Sequence, residues 1–251
     1  MLAVLVIAVG CSSATPPAPS TSTSTAPPQP PAPAASPIRV LMLTATAGFR
    51  HESISTARTI VGALAASSGF VVSATEDLRE LTAARLASTD VLMFALTSGE
   101  LALDDGQKRA MLDFVNGGGG FIGVHSASDT LYEWADYGRL VGAYFKEHPW
   151  VQIGAVRVED RTHPITIALG PGFTLNEEFY TFRENPRPLV HVLLALDAPS
   201  VGAQGDFPLA WTQSIGRGRS YYNALGHFAE TWNDPRFQTQ IAAAINWAAG
   251  R

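Results

Sequence analysis

The chain carries a single cysteine in 251 residues, at position 11. A thiol nucleophile and an intramolecular disulfide are therefore excluded from everything beyond it, and a domain folded there rests on its apolar core alone. No run of Lys or Arg occurs and the formal net charge is −5. The basic footprint that neutralises a phosphate backbone is missing, so nucleic acid is not an expected partner. No apolar stretch approaches the ~20 residues that span a bilayer core. The helical metal spacings His-x-x-x-His and His-Glu-x-x-His are also absent. What is present is 46% hydrophobic against 16% charged residues, enough apolar side chain for one large domain or two small ones.

The lone cysteine follows Leu2-Ala3-Val4-Leu5-Val6-Ile7-Ala8-Val9-Gly10, an apolar run ending in small residues. Its length suits the hydrophobic region of a signal peptide. The pattern is similar to a bacterial lipobox, although Ala8 stands where Leu is usual and no Lys or Arg precedes the run. Residues 1–11 are expected to be a lipoprotein signal peptide with Cys11 lipidated, which makes the chain an exported cell-envelope lipoprotein anchored to the membrane. Residues 12–37 are nearly all Pro, Ser, Thr and Ala, with no charge and no large apolar side chain. Nothing there offsets the entropy of ordering, and the segment reads as a tether. Extended as polyproline II at about 3.1 Å per residue, it reaches on the order of 80 Å.

The domain is expected over residues 38–251. Residues 38–45, 70–74, 91–96 and 121–124 are apolar, β-rich runs of the kind a doubly covered parallel strand needs. Helices are expected between them over residues 53–67, near 78–86, and after Asp104. Asp104 with Gln107 forms a capping-box pattern, and Met111, Phe114 and Val115 share a face before Gly117. This alternation predicts a mostly parallel sheet, three-layer α/β/α and flavodoxin-like. Beyond Trp150 the runs 151–158, 178–182, 189–196, 208–213 and 220–225 read as strands with little helix between, so the C-terminal half is more β-rich, and a mixed sheet or an appended hairpin layer is expected there. Asp234 is placed to cap a final helix whose stripe is Phe237, Ile241, Ala244, Ile245 and Ala248.

In such a sheet ligands bind beyond the carboxyl ends of the strands. Three histidines fall there: His51 after the first strand, His125 at the end of the fourth, and His227 after the last. Around His125 a Gly-rich approach, a buried strand and an abrupt polar turn to Asp129 have the layout of a nucleophile elbow. Ser126 is an alternative nucleophile there, without the Gly-x-Ser-x-Gly pattern. If the three imidazoles converge within about 2.1 Å of one point, they make a zinc-type site with an open position.

Gly48-Phe49-Arg50-His51, residues 119–127, Phe145-Lys146-Glu147-His148-Pro149, His163-Pro164, Glu177-Glu178-Phe179-Tyr180, Gly216-Arg217-Gly218-Arg219 and Leu225-Gly226-His227 together resemble the trehalose-utilisation (ThuA-like) family. That family is a branch of the class I glutamine-amidotransferase-like fold without the catalytic cysteine. Glu177 stands where Asp is common in the family. The resemblance implies carbohydrate metabolism, with trehalose-like disaccharides or their keto forms as small-molecule partners. Glu178, with Phe179 and Tyr180 to half-bury it and raise its pKa, joins His51, His125 and His227 as a catalytic candidate. Arg50, Asp129, His148, Trp150 and Tyr180 are candidates for substrate binding. His163 is a supporting residue, His191 is structural, and Trp247 belongs to the core. The expected activity is acid-base or metal-assisted chemistry on a glycoside or keto-sugar. The alternative is a non-catalytic carbohydrate- or protein-binding module. Glutamine hydrolysis is excluded by the missing cysteine.

Overall fold

The computed structural model describes residues 1–12, 14 and 36–251, in two units, Met1–Ala35 and Ser36–Arg251. In the first unit, residues 1–12 form no helix or strand, and Cys11 has a free, exposed thiol. Most of the segment read as a tether lies outside the described residues. No described helix is long and apolar enough to cross a membrane.

The second unit begins with the expected alternation: β1 (Ile38–Leu43), α1 (Ile54–Ser68), β2 (Phe70–Thr75), α2 (Ala83–Leu86), β3 (Val91–Ala95), α3 (Asp105–Asn116) and β4 (Gly120–Val124). Every residue of β3 and β4 is buried, as continuous apolar runs require when both faces are covered. Asp104 and Gln107 close the capping box of α3 in both directions. Helix α1 stops at Gly69, whose φ of 74° is the left-handed conformation glycine adopts without penalty.

Then follow α4 (Ala135–Val141), β5 (Phe145–Val158), β6 (Gly172–Phe182), β7 (His191–Leu196), β8 (Pro208–Ile215), β9 (Gly218–Asn223), α5 (Ala229–Asn233) and α6 (Pro235–Ala248). Asp234 caps α6 by accepting from the Arg236 N–H, with Pro235 in the first turn. Two glycines of β4 show the layering. A Cβ on Gly120 would lie 2.7 Å from the Ala248 carbonyl of α6, whereas one on Gly123 would meet Val141 of α4 at 3.4 Å. Positions three apart in a strand face opposite ways, so helices cover both faces.

The nine strands form one sheet in the order β2-β1-β3-β4-β9-β8-β7-β5-β6. The pairings β2–β1, β1–β3, β3–β4 and β4–β9 are parallel, and β9–β8, β8–β7, β7–β5 and β5–β6 are antiparallel. The expectation of a mostly parallel sheet is therefore corrected: half of the pairings are antiparallel, and all of these lie where a mixed sheet or a hairpin layer was expected. A parallel partner needs a crossover of a dozen or more residues, whereas β8 turns directly into β9 through Gly216 and Arg217, with Gly216 at φ 57°. The strand expected over 178–182 begins earlier, at Gly172, because exposed positions before it alternate with partly buried ones, as on a strand with one wet face.

One consequence of the order matters for function. β1, β4 and β9 are mutually parallel with only β3 among them, so the loops leaving β1, β4 and β9 open on one rim. The β5–β6 hairpin, irregular between Phe145 and Trp150, returns to the same rim: Glu177 accepts hydrogen bonds from the Gly226 and His227 N–H groups.

Candidate metal centre

His125 is the first residue after β4 and has φ 52°. A non-glycine residue in that region costs about 1–3 kcal/mol and persists only where its surroundings fix it. Here they do. Its carbonyl accepts the Tyr222 hydroxyl at 2.8 Å, and its Nδ1 lies 2.7 Å from the Ala224 carbonyl. A carbonyl only accepts, so Nδ1 carries the proton and the Nε2 lone pair of the neutral ring points the other way.

That lone pair faces a crowd. Around His125 Nε2 stand the Tyr180 hydroxyl at 3.0 Å, His51 Nε2 at 3.1 Å, His227 Nδ1 at 3.3 Å and Glu178 Oε2 at 3.4 Å. Glu178 Oε2 is also 3.0 Å from His227 Nδ1. One lone pair cannot answer four neighbours. A cation can: the edge of a tetrahedron with bonds of about 2.1 Å is about 3.4 Å, close to these separations. The candidate ligand atoms of His51, His125, Glu178 and His227 all lie within 4.8 Å of one another.

Charge points the same way. Glu177 and Glu178 are 0% and 8% exposed, and neither pairs with Lys or Arg among the described residues. Only imidazoles stand near Glu178 to compensate it. The donor set of three His and one carboxylate suits zinc or a similar divalent transition ion.

The pKa pattern corrects one expectation. Burial does push the Glu178 carboxyl up, but the imidazoles of His125 and His227 beside it outweigh that and hold the group well below the ordinary carboxylate range. His227 is buried enough to be pulled down, yet the Glu178 carboxylate raises it above its usual value. Burial, then the fields of His125 and His227, push His51 down to about 3.

The signs predict an acid limit. The unfolded chain binds a proton at His51 near pH 6.5 that the fold refuses until about pH 3, so its contribution falls as pH drops through that window. Glu178, depressed, also loses its contribution on acidification. His227 acts oppositely: its contribution is complete below its ordinary pKa and is lost as pH rises through the raised value. The chelator-treated domain is expected to lose roughly 1–3 kcal/mol between pH 7 and pH 4, and His51→Gln to flatten the decline. Calorimetric midpoints that stay level over this range would refute the assignment.

His51, Glu178 and His227 line a pocket of about 220 Å³, walled also by Phe49, Phe145, Tyr180, Asp129 and His148, with His125 buried behind them. That is below the ~300–1,000 Å³ typical of drug-sized ligands and suits a compact polar molecule. The Tyr180 ring is buried against Phe145 and His125, each 4.3 Å away between centroids, and its hydroxyl reaches the cluster. His148, half-exposed, places Nδ1 3.3 Å from Glu178 Oε1. Asp129 accepts the Tyr132 hydroxyl at 2.7 Å, and burial raises its pKa despite that bond.

Other candidates lie elsewhere. Arg50 adjoins His51, but its guanidinium is engaged by Glu76 in an exposed two-pronged pair. Trp150 packs edge to face with Phe207 at 4.9 Å in a separate cleft that shares Tyr180 as a wall. The fully buried Ser126 hydroxyl is 3.4 Å from His51 Nδ1 and supports that ring. His163 and His191 sit together away from the cluster, His191 paired with Asp160 at 2.8 Å. His191 is therefore an exposed surface residue rather than part of the interior. Trp247 lies half-buried on α6 against His163, with the Arg219 guanidinium over its ring.

Sequence reasoning missed Phe49 and Phe145 as walls and Glu177 as a support. Two consecutive acids leading into Phe179-Tyr180 were the available sign: a strand about to be buried holds carboxylates only if partners wait for them.

The solved structures resembling this chain include a ThuA-like protein of Bacteroides uniformis, 24% identical, with TM-score 0.72 over 88% of this chain and 95% of that one. A ThuA-like protein of Parabacteroides merdae is 18% identical, TM-score 0.70, covering 85% and 90%. A GMP synthase subunit of Thermoplasma acidophilum shares the fold more distantly, at 11% identity and TM-score 0.51 over 85% and 94%. Among curated proteins none matches. The family model described as trehalose utilisation matches residues 39–248, and with nearly the whole folded unit so matched, the chain belongs to the ThuA family of trehalose utilisation.

Proposed function

We propose that the chain is an extracytoplasmic, metal-dependent enzyme acting on a trehalose-like or keto-disaccharide. The observation that carries this is the meeting of three imidazoles and one carboxylate at the end of a pocket that also holds a half-exposed His and a half-buried Asp. A divalent ion held by His51, His125, His227 and Glu178 supplies Lewis acidity toward a sugar oxygen. The chain's own residues do the rest. The Tyr180 hydroxyl donates to the oxygen held nearest His125. Glu178 Oε1 and His148 exchange a proton, and the exposed edge of His148 passes it to solvent. Asp129, which already accepts the Tyr132 hydroxyl, accepts from a second sugar hydroxyl. A disaccharide is longer than the pocket, and its outer ring rests on Trp150 and Phe207 beyond Tyr180, the face of a sugar against an aromatic floor.

The Pro-rich segment and the apolar run before Cys11 support export and attachment through a lipid on Cys11, with no nucleic-acid partner. Metal analysis of the purified chain, paired with assay of keto-disaccharides before and after chelation, tests the enzymatic reading. Stoichiometric zinc and turnover that chelation abolishes and zinc restores are expected. Sugar binding with no turnover in any metal form would instead establish a non-catalytic module.

A further inference from the structure

Next to the four candidate ligands lies a second carboxylate that cannot be one of them. Glu177 is 0% exposed. Its Oε1 accepts the N–H of Glu178 at 2.9 Å and of His227 at 3.1 Å. Its Oε2 accepts the N–H of Gly226 at 2.9 Å and the Thr231 hydroxyl at 2.7 Å. A carboxylate offers about four lone-pair directions, and all are taken. Glu177 has no acceptor left for an ion or a sugar, so whatever it does, it does through its donors.

Those donors are telling. Two of them are the backbone amides of Glu178 and His227, the two ligands that come from the β5–β6 hairpin and from the loop after β9. These segments are remote in sequence, and the centre exists only if they are held in register. The third donor, Gly226, has φ 120°, which turns its N–H toward the carboxylate. Its carbonyl accepts the Trp232 indole N–H at 2.8 Å, so the loop is pinned from the other side as well. The fourth donor, Thr231, belongs to α5 and ties that helix to the same point.

We infer that Glu177 is the positioning residue of this centre: one buried carboxylate clamps the main chain of two ligands, His227 and Glu178, and thereby sets the distance between them. The inference rests on the metal reading given above. Charge is essential to it. Three of the four donors are peptide N–H groups that cannot turn round to accept, so a neutral amide in the same place must set its own N–H against one of them.

The test is cobalt(II) uptake by the full folded chain, followed by visible absorption and by chelator competition, for wild type, Glu177→Gln and Glu177→Asp, with thermal unfolding of each metal-free protein measured alongside. Outer-shell partners typically contribute ten- to a hundredfold in metal affinity. Glu177→Gln is expected to lose about that much and to change the cobalt d–d spectrum. Glu177→Asp, which keeps the charge one methylene short, should recover part of both. A residue that only braces α5 would lower the unfolding temperature and leave affinity and spectrum alone. Folded variants with wild-type affinity and an unchanged spectrum overturn the inference while the metal reading stands. A wild type that takes up neither cobalt nor zinc overturns both. Should Glu177→Gln fail to fold, the aspartate variant is judged by the same two readouts.

Discussion

His125→Ala is expected to lower zinc affinity by more than about a hundredfold, beyond what outer-shell partners contribute, and to remove turnover with it. His125 is fully buried, its Nδ1 proton is committed to Ala224, and its Nε2 is the one atom within 3.4 Å of the other three candidate ligands. No neighbouring side chain can take its place. The change also strands the Ala224 carbonyl, a buried acceptor whose loss of a partner costs about 1–3 kcal/mol, so metal-free stability should fall as well. His191→Ala is the matched control, because that ring is exposed and bound to Asp160 far from the cluster. Titration calorimetry on the two variants decides the matter: equal zinc affinities would show that the cluster is not the metal site.

Glu178→Gln is nearly isosteric and removes the charge, and with it the one carboxylate among the four candidate metal ligands. Turnover on keto-disaccharide is expected to drop about 10²–10⁴-fold, the usual range for losing an acid-base group, with sugar affinity retained because Asp129, Tyr180 and the pocket walls are untouched. The same change should let the His227 pKa fall, since the Glu178 carboxylate is what raises it above its ordinary value. Proton NMR of the metal-free protein reads that shift without any substrate. If His227 titrates identically in the variant, the Glu178 carboxylate is not what raises it, and the 3.0 Å contact between them carries no charge.

Much of the first half of the fold was legible as written. Burial on both faces demands unbroken apolar runs, and β1, β3 and β4 have them. Helix starts were announced by Asp104 and Asp234, whose short side chains meet free N–H groups wherever a helix begins. The antiparallel half was harder. Its strands are half-wet and bulged, so only 178–182 of β6 read as strand, and its first half emerges from pairing such as Asn176 with Ile153. Parallel or antiparallel pairing there is decided by connection length and neighbour choice, which periodicity does not record.

The site divides along the same line. His51, His125 and His227 were picked out because each stands just past the carboxyl end of a strand, and the order of the strands in the sheet is what sets them on one rim. Their distances did not follow. Glu178 was singled out to join the three histidines and stands among them, but its pKa direction was wrong: residue neighbours in sequence suggested apolar burial, while neighbours in space are two imidazoles. Arg50 shows the converse. Beside His51 in the chain, it is turned toward Glu76, an ion pair between residues 26 positions apart.

What the amino-acid order determined by itself is the division into a lipobox-like start, a proline-rich stretch and one α/β domain, together with the absence of any thiol for chemistry in that domain. These are matters of composition and of local pattern, which each segment carries wherever it sits. Tertiary structure decided the rest. It folded the β5–β6 hairpin back to the rim, brought Glu178 to His227, and buried Glu177 beneath both. Electrostatic interactions depend on separation and on exclusion of water, and those two quantities come into being only when distant segments pack.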